Sequence, residues 1–122
     1  MITSGSGIGD AVVIGAGSPC FPTAIDGYTG FSFNPSGPVG GGPLLGLYPD
    51  PLVFAILSVP PSPGNLFHFL FDGMSYPDAP ISFPPGTFTP LAGISMDALQ
   101  IYLNAGSAQP LVYVSAVSRV TF

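Results

Sequence analysis

The sequence is poor in charge. It contains no lysine, no glutamate and no tryptophan, and one strong cation, Arg119, stands against six aspartates. Charged residues make up 6% of the chain, whereas an average domain carries about 25%. Because one cation cannot neutralise a row of phosphates, we predict no binding to nucleic acid. The absence of lysine and glutamate, which usually cover the surfaces of helices, predicts little helix.

Cysteine and long apolar runs are equally scarce. The one cysteine, Cys20, has no partner for a disulfide within the chain, and we interpret it as a small buried side chain. One cysteine and one histidine do not make a zinc site. The longest apolar run, 52–57, is far shorter than the ~20 residues of a membrane span, so we predict no membrane contact. No basic segment precedes an apolar stretch near Met1, which favours synthesis in the cytoplasm without a signal peptide.

Apolar residues, glycine and proline are abundant. Apolar residues make up 47% of the 122 residues, enough for one domain with a hydrophobic core, and 17 glycines and 16 prolines punctuate the chain. Short β-prone runs alternate with turns at spacings of roughly 8–12 residues. We therefore predict an all-β fold, a single-domain antiparallel β-sandwich (jelly-roll-like or immunoglobulin-like) of about eight short strands over residues 11–122. Residues 1–10 are predicted to be a flexible Gly/Ser-rich arm, ordered only by another chain.

The strands are predicted from alternation and from turn residues. The run 52–59, apolar except for Ser58 and bordered by prolines, is typical of a strand buried on both faces. Residues 95–104 are the best alternative site for a helical turn, since Ser95 can cap it. The predicted strands are 11–14, 28–33, 52–59, 66–71, 81–83, 87–91 (at an edge), 94–96 leading into 98–104, and 111–117, and the segment 120–122 extends the sheet.

No group of residues has the spacing of a catalytic or metal site. The run 5–9 has the glycines of a nucleotide-binding loop but neither a preceding strand nor a following lysine. His68 is interpreted as a structural histidine with a backbone partner, because no nucleophile or acid stands at a recognised spacing from it. Asp72 and Asp78 are the one candidate pair for a cation, although a tight Ca²⁺ site needs six or more oxygens. We expect no catalytic residues, no cofactor and no metal.

Low charge also predicts that the surface is covered. A soluble domain normally keeps about a quarter to a third of its surface charged, and large uncharged surfaces usually mark contacts with partners. We therefore expect copies of the chain or a scaffold to cover much of the exterior. Arg119 is either solvated or paired through two nitrogens with a carboxylate, in this chain or in a neighbour. The interface candidates are Ile2, Ile8, Leu44, Leu45, Leu47, Tyr48 and Arg119.

The second half of the chain has a characteristic order of strands and turns. The run Ile81–Leu91, with a Pro-Pro-Gly turn at 84–86, is followed by Asp97–Leu103, a Gly-bearing turn and Leu111–Val114. Over residues 81–117 this order resembles the closing strands of small β-sandwich accessory proteins of tailed-phage virions. The resemblance implies a head decoration or cement protein, a homo-oligomer such as a trimer, that binds a major capsid protein and clamps neighbouring subunits. The net charge of −5 repels packaged DNA, which favours the outside of the virion.

Two other functions are alternatives. A self-assembling filament or surface-layer subunit would donate its N-terminal arm as a strand to the next copy. A carbohydrate-binding adhesin module would need exposed aromatic side chains beside polar groups in a concave site.

Overall fold

The computed structural model describes residues 2–4, 9–14, 24–70 and 80–122. In this part of the chain, eight strands form two antiparallel sheets, accompanied by one α-helix, α1 (Pro51–Leu57), and a 3₁₀ turn over Thr89–Leu91. The predicted all-β, sandwich-like domain is therefore confirmed. The strands are β1 (Ile2–Thr3), β2 (Ala11–Val13), β3 (Asp26–Ser32), β4 (His68–Leu70), β5 (Ile81–Phe83), β6 (Ser95–Leu103), β7 (Leu111–Val114) and β8 (Ser118–Thr121).

The larger sheet is organised around β6. Its strand order is β4-β3-β6-β7, and β8 also pairs with β6. The longest ladder joins β3 to β6, from Asp26 opposite Leu103 to Ser32 opposite Asp97. Five successive residues of β6, Met96–Gln100, are buried, so this strand is covered on both of its faces. The smaller sheet has the order β1-β2-β5.

One face of the larger sheet, here called the sandwich face, packs against the smaller sheet. Cross-strand register places Phe31 opposite Ala98 and Met96 opposite Val120, and these four side chains share a core with residues of the smaller sheet. This core is built from apolar side chains, as expected where two sheets pack face to face, and the buried polar residues Thr29 and Gln100 lie opposite each other on the same face. Its buried members are Ile2, Ala11, Val13, Phe31, Ile56, Met96, Ala98 and Val120.

The opposite face, here called the helix face, is covered by α1 and by the segment 37–48. Leu99, which lies opposite Gly30 in the ladder, packs with Val53 of α1 and with Leu47 of that segment. The side chains of Val53 and Ile56 are the buried residues of α1. The fold therefore has three layers, with the larger sheet in the middle.

The predicted strand over 52–59 is wrong, because residues 51–57 are helical. Asp50 caps the helix, its Oδ1 accepting a hydrogen bond from the backbone N–H of Val53 at 3.1 Å, and Pro51 occupies the first turn, where a missing N–H costs nothing. The backbone N–H of Ser58 donates to Ala55 O and ends the helix. An apolar run of this length fits both a buried strand and a short helix. The capping sequence before the run is the feature that indicates the helix.

Three further predictions differ from the structure. Residues 89–91 form a 3₁₀ turn rather than part of an edge strand, since Pro90 cannot donate to a ladder. The alternative helix at 95–104 is β6 instead. Ile2 and Thr3 do not need another chain to become ordered: β1 pairs with β2, and the N–H of Ile2 donates to Ser118 Oγ at 2.9 Å.

Candidate interaction surface

The structure separates the predicted interface residues by their burial. Ile2 and Leu47 are core residues, 2% and 1% exposed, so neither is available to a partner. Leu44 is half-buried against the same core as Leu47. Ile8 lies outside the described residues. Leu45 is exposed over 45% of its surface and is the apolar candidate that faces solvent.

Arg119 is paired inside its own chain. It lies directly opposite Asp97 on β8 and β6, and its Nε and Nη2 donate to Asp97 Oδ1 and Oδ2 at 2.6 and 2.8 Å. Asp97 is fully buried. The hydrogen bond to Asp97 raises the pKa of Arg119, so the guanidinium stays charged. Of the two interpretations of Arg119, the structure shows the bidentate pair, and this cation does not reach a partner's carboxylate.

The same guanidinium holds the segment 37–48 on the sheet. Arg119 Nη2 also donates to the backbone oxygen of Gly37 at 3.1 Å. Gly37 packs so closely under the hydroxyl of Tyr48 that a Cβ would not fit, and Ser32 Oγ donates to Tyr48 O at 2.5 Å. Tyr48, the last interface candidate, is therefore half-buried within its own domain.

His68 has a structural environment. Its Nδ1 lies 2.6 Å from the backbone oxygen of Val59, and its Nε2 lies 2.6 Å from Asp26 Oδ2. The ring stacks on Tyr28 with centroids 3.9 Å apart, and burial, together with the charge of Asp26, raises the pKa of Tyr28. Because a carbonyl oxygen only accepts, Nδ1 carries a proton. Both ring nitrogens are engaged, so neither is left to activate a nucleophile.

The described carboxylates all have internal roles. Asp97 pairs with Arg119 and Asp26 with His68. Asp50 caps α1 with one oxygen and accepts the backbone N–H of Phe33 with the other, at 2.8 Å. Asp10 is buried. The described part of the exterior therefore offers solvent no free charged side chain.

Apolar side chains occupy that exterior instead. The helix α1 contains no polar side chain. Val53 and Ile56 point into the domain, whereas Phe54 and Leu57 are 58% and 40% exposed, one turn apart on the outer side. A helix that is apolar all round is normally buried. We call Phe54 and Leu57 the outer helix face.

A second apolar surface lies at the tip of a tight hairpin. The backbones of Leu44 and Leu47 exchange hydrogen bonds of 3.1 and 2.9 Å around Leu45 and Gly46, which have φ of 54° and 96°. Positive φ at both central residues is the pattern of a type I′ turn, which prefers asparagine, aspartate or glycine. A leucine in this conformation is strained. Val39 is also exposed, and a Cβ at Gly46 would lie 3.1 Å from the backbone oxygen of Gly40, which follows Val39.

Two kinds of site are not found in the described part of the chain. No three residues of the types His, Cys, Asp and Glu come together there as ligands for a metal ion. No described helix has the length and hydropathy to cross a membrane. Asp72, Asp78 and Cys20 lie outside the described residues, so the predictions for them stay predictions.

The outer helix face was missed from the sequence because the run was interpreted as a buried strand. The signal that identifies it is Asp50-Pro51, a capping residue followed by a proline suited to the first turn. Comparison with protein-family models, with curated proteins and with solved structures finds no match to the chain. The functional assignment therefore depends on the contacts of the chain itself.

Proposed function

We propose that the chain is a non-enzymatic structural subunit that assembles with copies of itself through uncharged, apolar surface. The observation that carries the proposal is the outer helix face, where Phe54 and Leu57 lie exposed on a helix without one polar side chain. Monomeric proteins rarely expose contiguous apolar patches larger than a few hundred Å². Burying such side chains in an interface gains about 25 cal/mol per Å² of apolar surface.

The charge distribution favours a second copy as the partner. A net charge of −5 would make identical copies repel one another if the carboxylates stood on the surface. Four of the six aspartates are instead paired, capping or buried within the domain. A contact between surfaces without charged side chains avoids the cost of removing water from a charge.

In its specific form, the proposal is a decoration or cement protein of a tailed-phage head. The chain would be made in the host cytoplasm, assemble as a homo-oligomer such as a trimer, and bind the major capsid protein on the outside of the virion. The resemblance over 81–117 supports this form, and β5, β6 and β7 lie within that segment. The filament alternative has less support, because β1, the described part of the arm, already pairs with β2 of its own chain.

The proposal is tested by removing the outer helix face. The double variant Phe54→Ser/Leu57→Ser keeps Val53 and Ile56, the residues that hold α1 on the sheet. We expect the wild-type protein to form oligomers in sedimentation velocity experiments. The dissociation constant of the double variant should be at least roughly tenfold higher, because each 1.4 kcal/mol of lost binding free energy weakens the affinity tenfold.

The matched control is Leu111→Ser, which changes a leucine of similar exposure (45%) on β7. This variant should assemble like the wild type. A wild-type chain that stays monomeric at its highest soluble concentration, with or without purified capsid protein, would contradict the proposal. An equal loss of assembly in the control would show that general surface hydrophobicity, and not the outer helix face, is responsible.

A further inference from the structure

A cavity of about 290 Å³, partly open to solvent, lies where the smaller sheet, the larger sheet and the start of α1 meet. Its walls come from all of these elements, including Val13 of β2, Phe31 of β3, Met96 of β6 and Leu52 of α1. Phe67, which also lines it, is 40% exposed. None of the described residues that line the cavity has a polar side chain.

Removing apolar surface from water is favourable, so apolar walls of this kind favour an apolar occupant. An ordered water needs two to four polar partners, and the described side chains around this cavity provide none. An apolar cavity of roughly half this volume, lined by Leu, Ile and Phe, is known to stay dry and to bind benzene or xenon. The cavity is therefore suited to an apolar molecule rather than to water.

The lining residues define the chemistry of that molecule. Phe31 and Phe67 meet edge to face, with centroids 6.0 Å apart and rings at 86°, and Phe83 and Phe88 meet at 5.2 Å and 67°. Aromatic rings therefore form a large part of the described wall, and an aromatic ligand can meet them in the offset or edge-to-face geometry that such rings prefer. The Arg119–Asp97 ion pair and the His68–Asp26 hydrogen bond lie on the helix face, and no charged side chain is among the described lining residues.

We propose that this cavity binds a small uncharged aromatic molecule of one ring or two fused rings. Its volume stands at the lower limit of ligand pockets, which begin at about 300 Å³, so its walls can surround only a ligand of this small size. The side-chain sulfur of Met96 at the wall adds a favourable sulfur–aromatic contact. The inference concerns the space between the sheets and does not depend on assembly through the outer helix face.

The experiment follows the methyl group of Met96 by NMR while toluene is added to the full-length protein. Toluene in the cavity should shift this resonance through its ring current and should raise Tm, because a ligand that binds only the folded state stabilises it. Benzoate has the same ring with a negative charge and should do neither, because the cavity offers no partner for a carboxylate.

Two variants that fill the space provide the control. Val13→Phe and Leu66→Phe, both at the wall, should weaken toluene binding at least roughly tenfold. The second variant keeps the test informative if the first does not fold, and Leu111→Phe, far from the cavity, should bind like the wild type. A Met96 methyl resonance that saturating toluene leaves unchanged, or an undiminished response in the filled variants, would overturn the proposal. Dissociation of oligomers by toluene would also overturn it, because this result would mean that a side chain of another copy occupies the cavity in the assembly.

Discussion

The two faces of the larger sheet are covered in different ways. On the sandwich face, a second sheet supplies the cover, and the layers are joined by the apolar core and by the hydrogen bond from the N–H of Ile2 to Ser118 Oγ. On the helix face, a seven-residue helix and an irregular segment supply it. There, side chains of the sheet hold carbonyl groups of the cover: Arg119 holds Gly37, and Ser32 holds Tyr48.

This difference accounts for the location of the few charges. Strands of a sheet satisfy most of their backbone groups in their own ladders, so two sheets are joined mainly by apolar side chains. An irregular segment leaves carbonyl and N–H groups that need other partners. On the helix face, those partners are supplied or supported by Asp50, by Asp97 with Arg119, and by His68 with Asp26. The exterior is poor in charge partly because the scarce charged residues hold this layer in place.

The largest expected effect comes from breaking the helix face at Arg119. Arg119→Met removes the partner of Asp97, a carboxylate without exposure to solvent, and releases the carbonyl of Gly37. We expect Tm to fall by roughly 10 °C or more, since an unpaired buried charge is among the most destabilising changes known. Hydrogen exchange at the amide of Leu47 should accelerate more than exchange at the amide of Val13 on the other side of the molecule.

The control for this prediction is the double variant Asp97→Leu/Arg119→Met. Replacing both charges by apolar side chains leaves no unpaired group, so most of the lost stability should return. If the double variant is as unstable as the single one, the loss arises from packing around Arg119 and not from the charge of Asp97.

A smaller effect is expected from substitutions that test how tightly the two faces of the larger sheet are packed. A Cβ at Gly27 would lie 2.5 Å from Ile101 O and 2.6 Å from Cζ of Phe69, whereas a Cβ at Gly30 would meet Leu47 Cδ2 at 3.6 Å. We expect Gly27→Ala to cost roughly 1–3 kcal/mol of unfolding free energy through overpacking. Gly30→Ala, its matched control on the same strand, should be neutral or slightly stabilising. Equal midpoints for the two variants in urea denaturation would contradict the difference in packing.

The smallest expected effect has the opposite sign. Leu45→Asn places a residue that tolerates positive φ where the hairpin requires it, so the free energy of unfolding should rise by about 1 kcal/mol. If Leu45 belongs to an interface, the same change should weaken assembly while it stabilises the isolated chain, which sedimentation velocity at matched concentrations measures. A variant that is less stable than the wild type would show that Leu45 does not strain the turn.

Strands with alternating or turn-bounded sequences were predicted with nearly correct bounds. The predicted strand 28–33 overlaps β3, and β5 agrees with 81–83. The backbone partner of His68 also followed from residue type, because a buried imidazole needs a partner, whereas the sequence left a solvated and a paired Arg119 equally open. The burial of Ile2 and Leu47 did not follow, since exposure depends on which neighbouring segment covers a residue.

The sequence by itself determined the class of fold, one domain of short strands, because glycine and proline mark the turns and period-two alternation marks the strands between them. It also determined that charge would be scarce everywhere. Only the tertiary structure decided where that charge lies, which partner Arg119 takes, and that the run 51–57 is a helix with an apolar outer side. The physical reason is that local sequence sets backbone preferences over a few residues, whereas burial and pairing join residues far apart in the chain, such as Asp97 with Arg119 and Asp26 with His68.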